Sequence, residues 1–307
     1  MFVTGPPTAG TGLALRRVVH RGHTGPAVAD SPLAAHPTLR PYLTDLAATR
    51  GLALREEVLG TGQAYAELAA PVVEAVTAVL RPDEPVDLLV LAYGVPDVQP
   101  GRNAALRLAA HCPGRPLAFA VCDQGPSAAF TALRLATDYA ATGACARAVL
   151  VVAEQSAVPY PMTAEAPVPD RHAAVALLLE GSSAPVDVRA HPDLPEEAVG
   201  AVLAAEVTEL TGERDDVTLV LGPGLAALHG MRVAEVLRAA PGLPYTGLWA
   251  RLADGEPGRF LVIADYDPAL GYLCVAGLEP GPRPTADLAA AVSPGKGGGV
   301  ANMAVKD

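Results

Sequence analysis

The chain has 307 residues, 50% of them hydrophobic and 18% charged, and its 33 Asp and Glu against 22 Lys and Arg give a formal net charge of −11. Such a length and apolar content specify a folded globular protein of one large domain or two packed halves, and the acidic balance speaks against a surface that tracks nucleic-acid phosphates. Lysine occurs only at Lys296 and Lys306, so the body of the chain has no amine for a phosphate-cradling P-loop or a Schiff base.

Short Val, Leu and Ala runs of buried-strand length alternate with longer helical patterns, which predicts an α/β chain. The reading in chain order is a helix start near Gln63, a strand over Val86–Tyr93, a helix over Arg102–Ala110, a strand over Pro116–Val121 and a long helix over Ser127–Thr142. A strand over Ala146–Ala153 follows, then a Pro-rich loop from Val158 to Asp170 and a strand over His172–Leu179 closed by Glu180-Gly181. The second half repeats the plan: a strand over Val186–Arg189, a helix over Pro195–Leu210, a strand over Val217–Leu221, a helix over Leu225–Ala239, and strands over Phe260–Ile263 and Leu270–Leu278. Matching element order in the two halves predicts an internal duplication, with boundaries at 1–182 and 183–292 and a Gly-rich flexible tail over 293–307.

No run reaches the roughly 18 apolar residues of a membrane span, and Met1-Phe2-Val3 opens without the charged and apolar regions of a secretory leader. The expected location is the cytoplasm. Cys112, Cys122, Cys145 and Cys274 have neither zinc-site spacing nor the density of a disulfide scaffold. The seven histidines include no metal-ligand spacing, and His20 and His23 sit among Arg16, Arg17 and Arg21, which would repel a cation. No metal and no cofactor are expected. Gly60-Thr61-Gly62 is half of a dinucleotide fingerprint, with Tyr65 where the third glycine belongs, and reads as a turn and helix start.

The segment Phe119-Ala120-Val121-Cys122-Asp123-Gln124-Gly125-Pro126-Ser127-Ala128-Ala129 carries the most chemistry. A buried strand runs through a tight Gly-Pro turn into an apolar helix, with Pro126 suited to the first helical position. The free N–H groups and positive end of such a helix lower a thiol's pKa and stabilise an oxyanion. Cys122 at the strand end and Ser127 in the first turn are both candidate nucleophiles, against the structural reading of a core cysteine and a helix-capping serine. Gly125-Pro126-Ser127-Ala128-Ala129 also approaches a GxSxG elbow, with Ala in the last place and His191 or His229 as candidate bases downstream.

This strand–turn–helix, the following Gly143-Ala144-Cys145-Ala146 to Val152-Ala153-Glu154, the run Leu88 to Gly94, and Asp170 leading into Ala173–Leu178 together resemble the thiolase superfamily, and ketoacyl-ACP synthase III within it. The likeness spans roughly residues 1 to 280 and implies a duplicated α/β/α/β/α layered fold and a dimer. The family takes an acyl group from CoA or a carrier protein on a Cys at the helix N-terminus, and a His and an Asn of the second half assist condensation. Here the Cys position falls at Gly125 or Pro126, the His position at Gly222-Pro223-Gly224 and the Asn position at Pro244-Tyr245-Thr246-Gly247.

Loss of all three groups implies a degenerate partner subunit of an active ketosynthase in polyketide or fatty-acyl specialised metabolism, as homodimer or heterodimer, with acyl carrier protein as a further partner. The alternative is an acyltransferase or condensing enzyme loading acyl thioesters on Cys122 or Ser127, with Gly125 and Ser127 N–H groups as oxyanion site and His172 as base.

Overall fold

A computed structural model describes residues 12–23, 38–58, 62–99, 102–161, 166–183, 186–255 and 258–279. The Gly-rich tail, Lys296, Lys306, Gly60 and Thr61 lie outside the described residues. Two five-stranded sheets form the frame. In the first, β1 (Gly12–His23), β2 (Leu88–Ala92), β3 (Leu117–Val121), β4 (Arg147–Glu154) and β5 (His172–Ser182) lie in the order β1-β5-β4-β2-β3. In the second, β6 (Asp187–His191), β7 (Val217–Leu221), β8 (Glu235–Arg238), β9 (Phe260–Asp267) and β10 (Tyr272–Leu278) lie in the order β6-β10-β9-β7-β8.

The two orders are the same when each half is numbered from its own first strand, and the pairing senses match. In each sheet the last three strands of that order run parallel, and the second is antiparallel to both its neighbours. The chain is therefore duplicated at the level of topology.

Strand periodicity sets the layers, because successive side chains leave opposite faces of a sheet. Leu88, Val90 and Ala92 of β2, with Leu150 and Val152 of β4, face a core shared with the long helix α4 (Ala128–Ala141). Leu89, Leu91, Val149 and Val151 face the other way, onto α2 (Tyr65–Thr77) and α3 (Ala104–Ala109). On the second sheet, Ile263, Cys274 and Ala276 join the α4 core, whereas Leu219, Val262 and Val275 pack on α5 (Glu196–Thr211). The result is five layers, helix–sheet–helix–sheet–helix, with α4 between the sheets. A further helix, α1 (Leu39–Ala48), precedes α2 in the chain.

The alanines on the buried side of α4 (Ala128, Ala129, Ala132, Ala136 and Ala140) let the two sheets approach this helix closely. One large contact anchors the second half to it: Phe130 and Trp249 meet edge to face with centroids 5.1 Å apart, and Trp249 lies on the short helix α6 (Gly247–Ala250).

One expectation changes, and one strand is added. No helix spans Leu225–Ala239: a single 3-10 turn over Pro223–Leu225 leads through Gly230, at φ 84°, into β8. The Arg238 guanidinium donates to the carbonyls of Leu225, Ala226 and Leu228, supplying the bonds that a helical ladder would have made. The Arg-rich segment around Arg16 and Arg17 is strand β1, an edge strand paired only to β5 among the described residues. Arg16 meets Glu180 at 3.1 Å across that pair.

Candidate functional site

β3 ends at Val121, and the chain reaches α4 through a turn containing two left-handed residues, Asp123 at φ 61° and Gly125 at φ 52°. A 3-10 turn over Gly125–Ser127, with Pro126 at its start, feeds Ala128 into the helix. The strand–turn–helix expected from the sequence is thus present, and it separates the two candidate nucleophiles.

Cys122 stands at the strand end, partly exposed, and lines a cavity of about 560 Å³ together with Tyr93, Gly94, Asp97, Arg102 and Asp123. Its thiol donates to Asp123 Oδ2 at 3.1 Å, and the Tyr93 hydroxyl bonds the sulfur. Burial and the neighbouring Asp123 push the thiol above its ordinary value, and the Tyr93 bond opposes this. The other three cysteines are buried and raised further by that burial, Cys112 and Cys145 to about 12 and Cys274 to about 11. None of the four carries the lowered pKa of an activated thiol.

Ser127 lies inside, with its hydroxyl donating to the Cys274 sulfur of β10. It is the residue before α4 but makes no side-chain cap; its N–H donates to Gln124 O at 3.1 Å. His172 opens β5, buried, and its Nδ1 accepts the Ser156 N–H at 3.4 Å. Of the other candidate bases, His191 pairs with Glu206 at 2.9 Å, and His229 Nδ1 meets Arg238 at 3.1 Å. Among the described residues no group of His, Cys, Asp and Glu is placed to hold a metal ion.

Three buried carboxylates, none of them read from the sequence as site residues, lie against Gly125, against Gly222 and Gly224, and against Tyr245 and Thr246. Asp267, at the end of β9, turns Oδ1 to the N–H groups of Ala269 and Leu270, at 2.9 and 3.2 Å. Its Oδ2 stands so close against Gly125 that a Cβ there would overlap it. Two residues earlier, Asp265 Oδ1 accepts from Gly224 N at 3.0 Å and Tyr266 N at 2.9 Å, and a Cβ on Gly222 would collide with the same carboxyl group. Glu154, at the end of β4, accepts from Tyr245 N at 2.9 Å, Thr246 N at 3.2 Å and the Thr246 hydroxyl. Burial pushes Asp265 and Glu154 up to about 7, against the hydrogen bonds that favour their charged forms.

A signal for these groups existed in the sequence. Ala264-Asp265-Tyr266-Asp267 puts two acids into a fully buried strand, and Glu154 ends a strand that is otherwise apolar from Ala148 to Ala153. Acids in such places are seldom tolerated without partners.

No protein-family model and no curated protein matches the chain. Solved structures do. The tetronic acid condensing enzyme AbyA1 superposes with a TM-score of 0.58 at 16% identity, covering 87% of this chain and 99% of its own. The acyltransferase ChlB3 gives 0.56 at 16% identity, over 88% and 98%. The 3-oxoacyl-(acyl carrier protein) synthase III of Xanthomonas oryzae gives 0.55 at 11% identity, over 87% and 98%. With the duplicated sheets and the central α4 layer, these likenesses show that the chain has a thiolase-like fold similar to that of ketoacyl-ACP synthase III.

Proposed function

We propose that this chain is a ketoacyl-synthase-III-like subunit that has lost acyl transfer at its central site and works beside an active ketosynthase in polyketide or fatty-acyl specialised metabolism. The observation that carries this reading is Asp267. Its second carboxylate oxygen abuts Gly125 at the mouth of α4, where the resemblance puts the nucleophile and the oxyanion donors. Acyl transfer needs preorganised donors facing the developing negative charge, and a carboxylate at that point opposes it. The glycines of the β7 turn are closed by Asp265, and the Tyr245–Thr246 backbone is held by Glu154. Ser127, buried and bonded to Cys274, is a packing residue in this reading.

The partner is a second thiolase-fold chain, from the same or a different sequence, meeting β3. Among the described residues that strand pairs only with β2, and it carries Leu117, 44% exposed; Leu106 of α3 is 58% exposed. An unpaired apolar edge favours strand addition by another chain. The substrates of the assembly are acyl-CoA or acyl-carrier thioesters, no cofactor takes part, and the expected location is cytoplasmic. Among the described residues no helix is long and apolar enough to cross a membrane.

A second reading has one observation in its favour: the Cys122 thiol, bonded by Tyr93, faces a cavity of about 560 Å³. In it, Cys122 takes the acyl group from a thioester. Intact-mass spectrometry of the purified chain with a panel of acyl-CoA and acyl-carrier thioesters separates the two. No adduct from any donor, with copurification or restored activity of a ketosynthase partner, supports the subunit reading. An adduct abolished by Cys122→Ala, or by Ser127→Ala, overturns it in favour of acyl transfer.

A further inference from the structure

A second groove, of about 240 Å³, lies where the end of β1 meets the start of β5 and α6, away from the Cys122 cavity. Its polar lining is His20, Arg21, Arg171, Thr246, Arg251 and Asp254. In a chain of net charge −11, three guanidinium groups and an imidazole here face one carboxylate. That carboxylate is already engaged, Asp254 Oδ2 meeting Arg251 Nη1 at 2.7 Å.

Arg171 lies in the field of Glu154, the carboxylate bonded by the Thr246 hydroxyl of the lining, but makes no ion pair with it. Among the described residues no carboxylate comes within ion-pair distance of Arg21 or Arg171. The Arg251 side chain is 37% exposed, so part of its guanidinium is open to a ligand. The groove is built from three separate elements, and strand pairing fixes two of them: Arg21 sits opposite Ala174, next in register to the residues that follow Arg171. Fork-shaped donors converging on one concavity are suited to a tetrahedral oxyanion, which accepts paired N–H bonds from more than one side.

We propose that this groove binds a phosphate group, inorganic or as a phosphate monoester, with Arg21, Arg171 and Arg251 as its donors. The guanidinium groups of Arg21, Arg171 and Arg251 at the groove face the anion, while Asp254 holds the Arg251 plane in place. The proposal is independent of whether the central site transfers acyl groups.

Isothermal titration of the full chain with inorganic phosphate at constant ionic strength, with chloride as the control anion, tests it. Saturable one-site binding by phosphate, absent with chloride, is expected. Arg171→Gln and Arg21→Gln, both on the rim, should each weaken it roughly tenfold or more, the loss expected for one charge-assisted hydrogen-bond donor. Arg251→Gln should abolish it, with circular dichroism showing that the variant remains folded. Equal binding by all the variants overturns the proposal, as does a phosphate response no larger than that of chloride. Titration with a simple phosphate monoester in parallel distinguishes the two sources of the group: tighter binding than inorganic phosphate places a carbon body in the groove, and weaker binding limits the site to the free ion.

Discussion

Asp265→Asn isolates the energetic cost of one buried carboxylate at the junction of the two halves. Both hydrogen bonds to Asp265 come to Oδ1, from Gly224 N and Tyr266 N, so an asparagine keeps them with its carbonyl oxygen and places its amide where the second oxygen stood. Burial raises this carboxyl from its ordinary 3.8 to about 7, a gap worth about 4 kcal/mol at about 1.36 kcal/mol per pH unit. A folded-state pKa above the unfolded one means that the native protein holds the proton more tightly. Its stabilising effect is complete below about pH 4 and is lost as pH rises through 7. The asparagine side chain has no charge to desolvate at any pH. The variant should match the parent near pH 4 and exceed it near pH 8 by on the order of 2–4 kcal/mol. Urea unfolding midpoints across that range, with m-values checked for constancy, read the difference. Glu154, also raised to about 7, leaves the variant with a shallower slope of the same sign. A variant that is destabilised equally at both ends, with the parent's slope unchanged, would refute the idea that ionising Asp265 costs the fold anything.

Trp249→Ala should lower unfolding free energy by about 3–5 kcal/mol, because a fully buried ring against Phe130 is replaced by a cavity between the halves; chemical denaturation measures it. Gly125→Ala should cost about 1–3 kcal/mol at φ 52°, where the new methyl also meets Asp267, and Asp267→Ala in the same background should recover part of that loss. Thiol titration of the native protein at about pH 7.5 should label Cys122 alone and slowly, faster as pH rises past about 9, since the other three thiols are buried. If β3 is the pairing edge proposed above, Leu117→Asp should lower the oligomeric mass of the parent in analytical ultracentrifugation, with the circular dichroism spectrum unchanged.

The fold was legible wherever burial and periodicity coincide. The strand expected at Val217–Leu221 has those bounds in the structure, and α4 and β4 lie within a residue of their expected ends. The two strands are short, mostly apolar runs and α4 carries its apolar residues on one face, and nothing tertiary competes with them. Leu225–Ala239 misled because its Ala and Leu content matches a helix, whereas its backbone is held by Arg238 from the far end of the segment. A bond formed between residues more than ten apart leaves no local trace. β1 was missed for the opposite reason: an edge strand paired on one side exposes arginines that blur the alternation.

The same distinction runs through the central site. The strand–turn–helix holding Cys122, Gly125 and Ser127 is local, and Gly-Pro announces it. What faces that turn arrives on β9, some 140 residues later, and only the packing of two sheets on α4 brings it there. Duplication explains why carboxylates appear on both sides of the junction. β4 and β9 hold the same place in their sheets, and each ends in buried acid, Glu154 in one half and Asp265 with Asp267 in the other. Each acid bonds to backbone beyond its own strand: Glu154 to the turn before α6, Asp265 to the turn after β7, and Asp267 to the residues leading into β10. Glu154 thereby joins the first half to the second. Acids satisfied by backbone N–H groups in this way occupy donors of the junction, and in the subunit reading proposed above the interactions that order the junction are the same ones that oppose acyl transfer there.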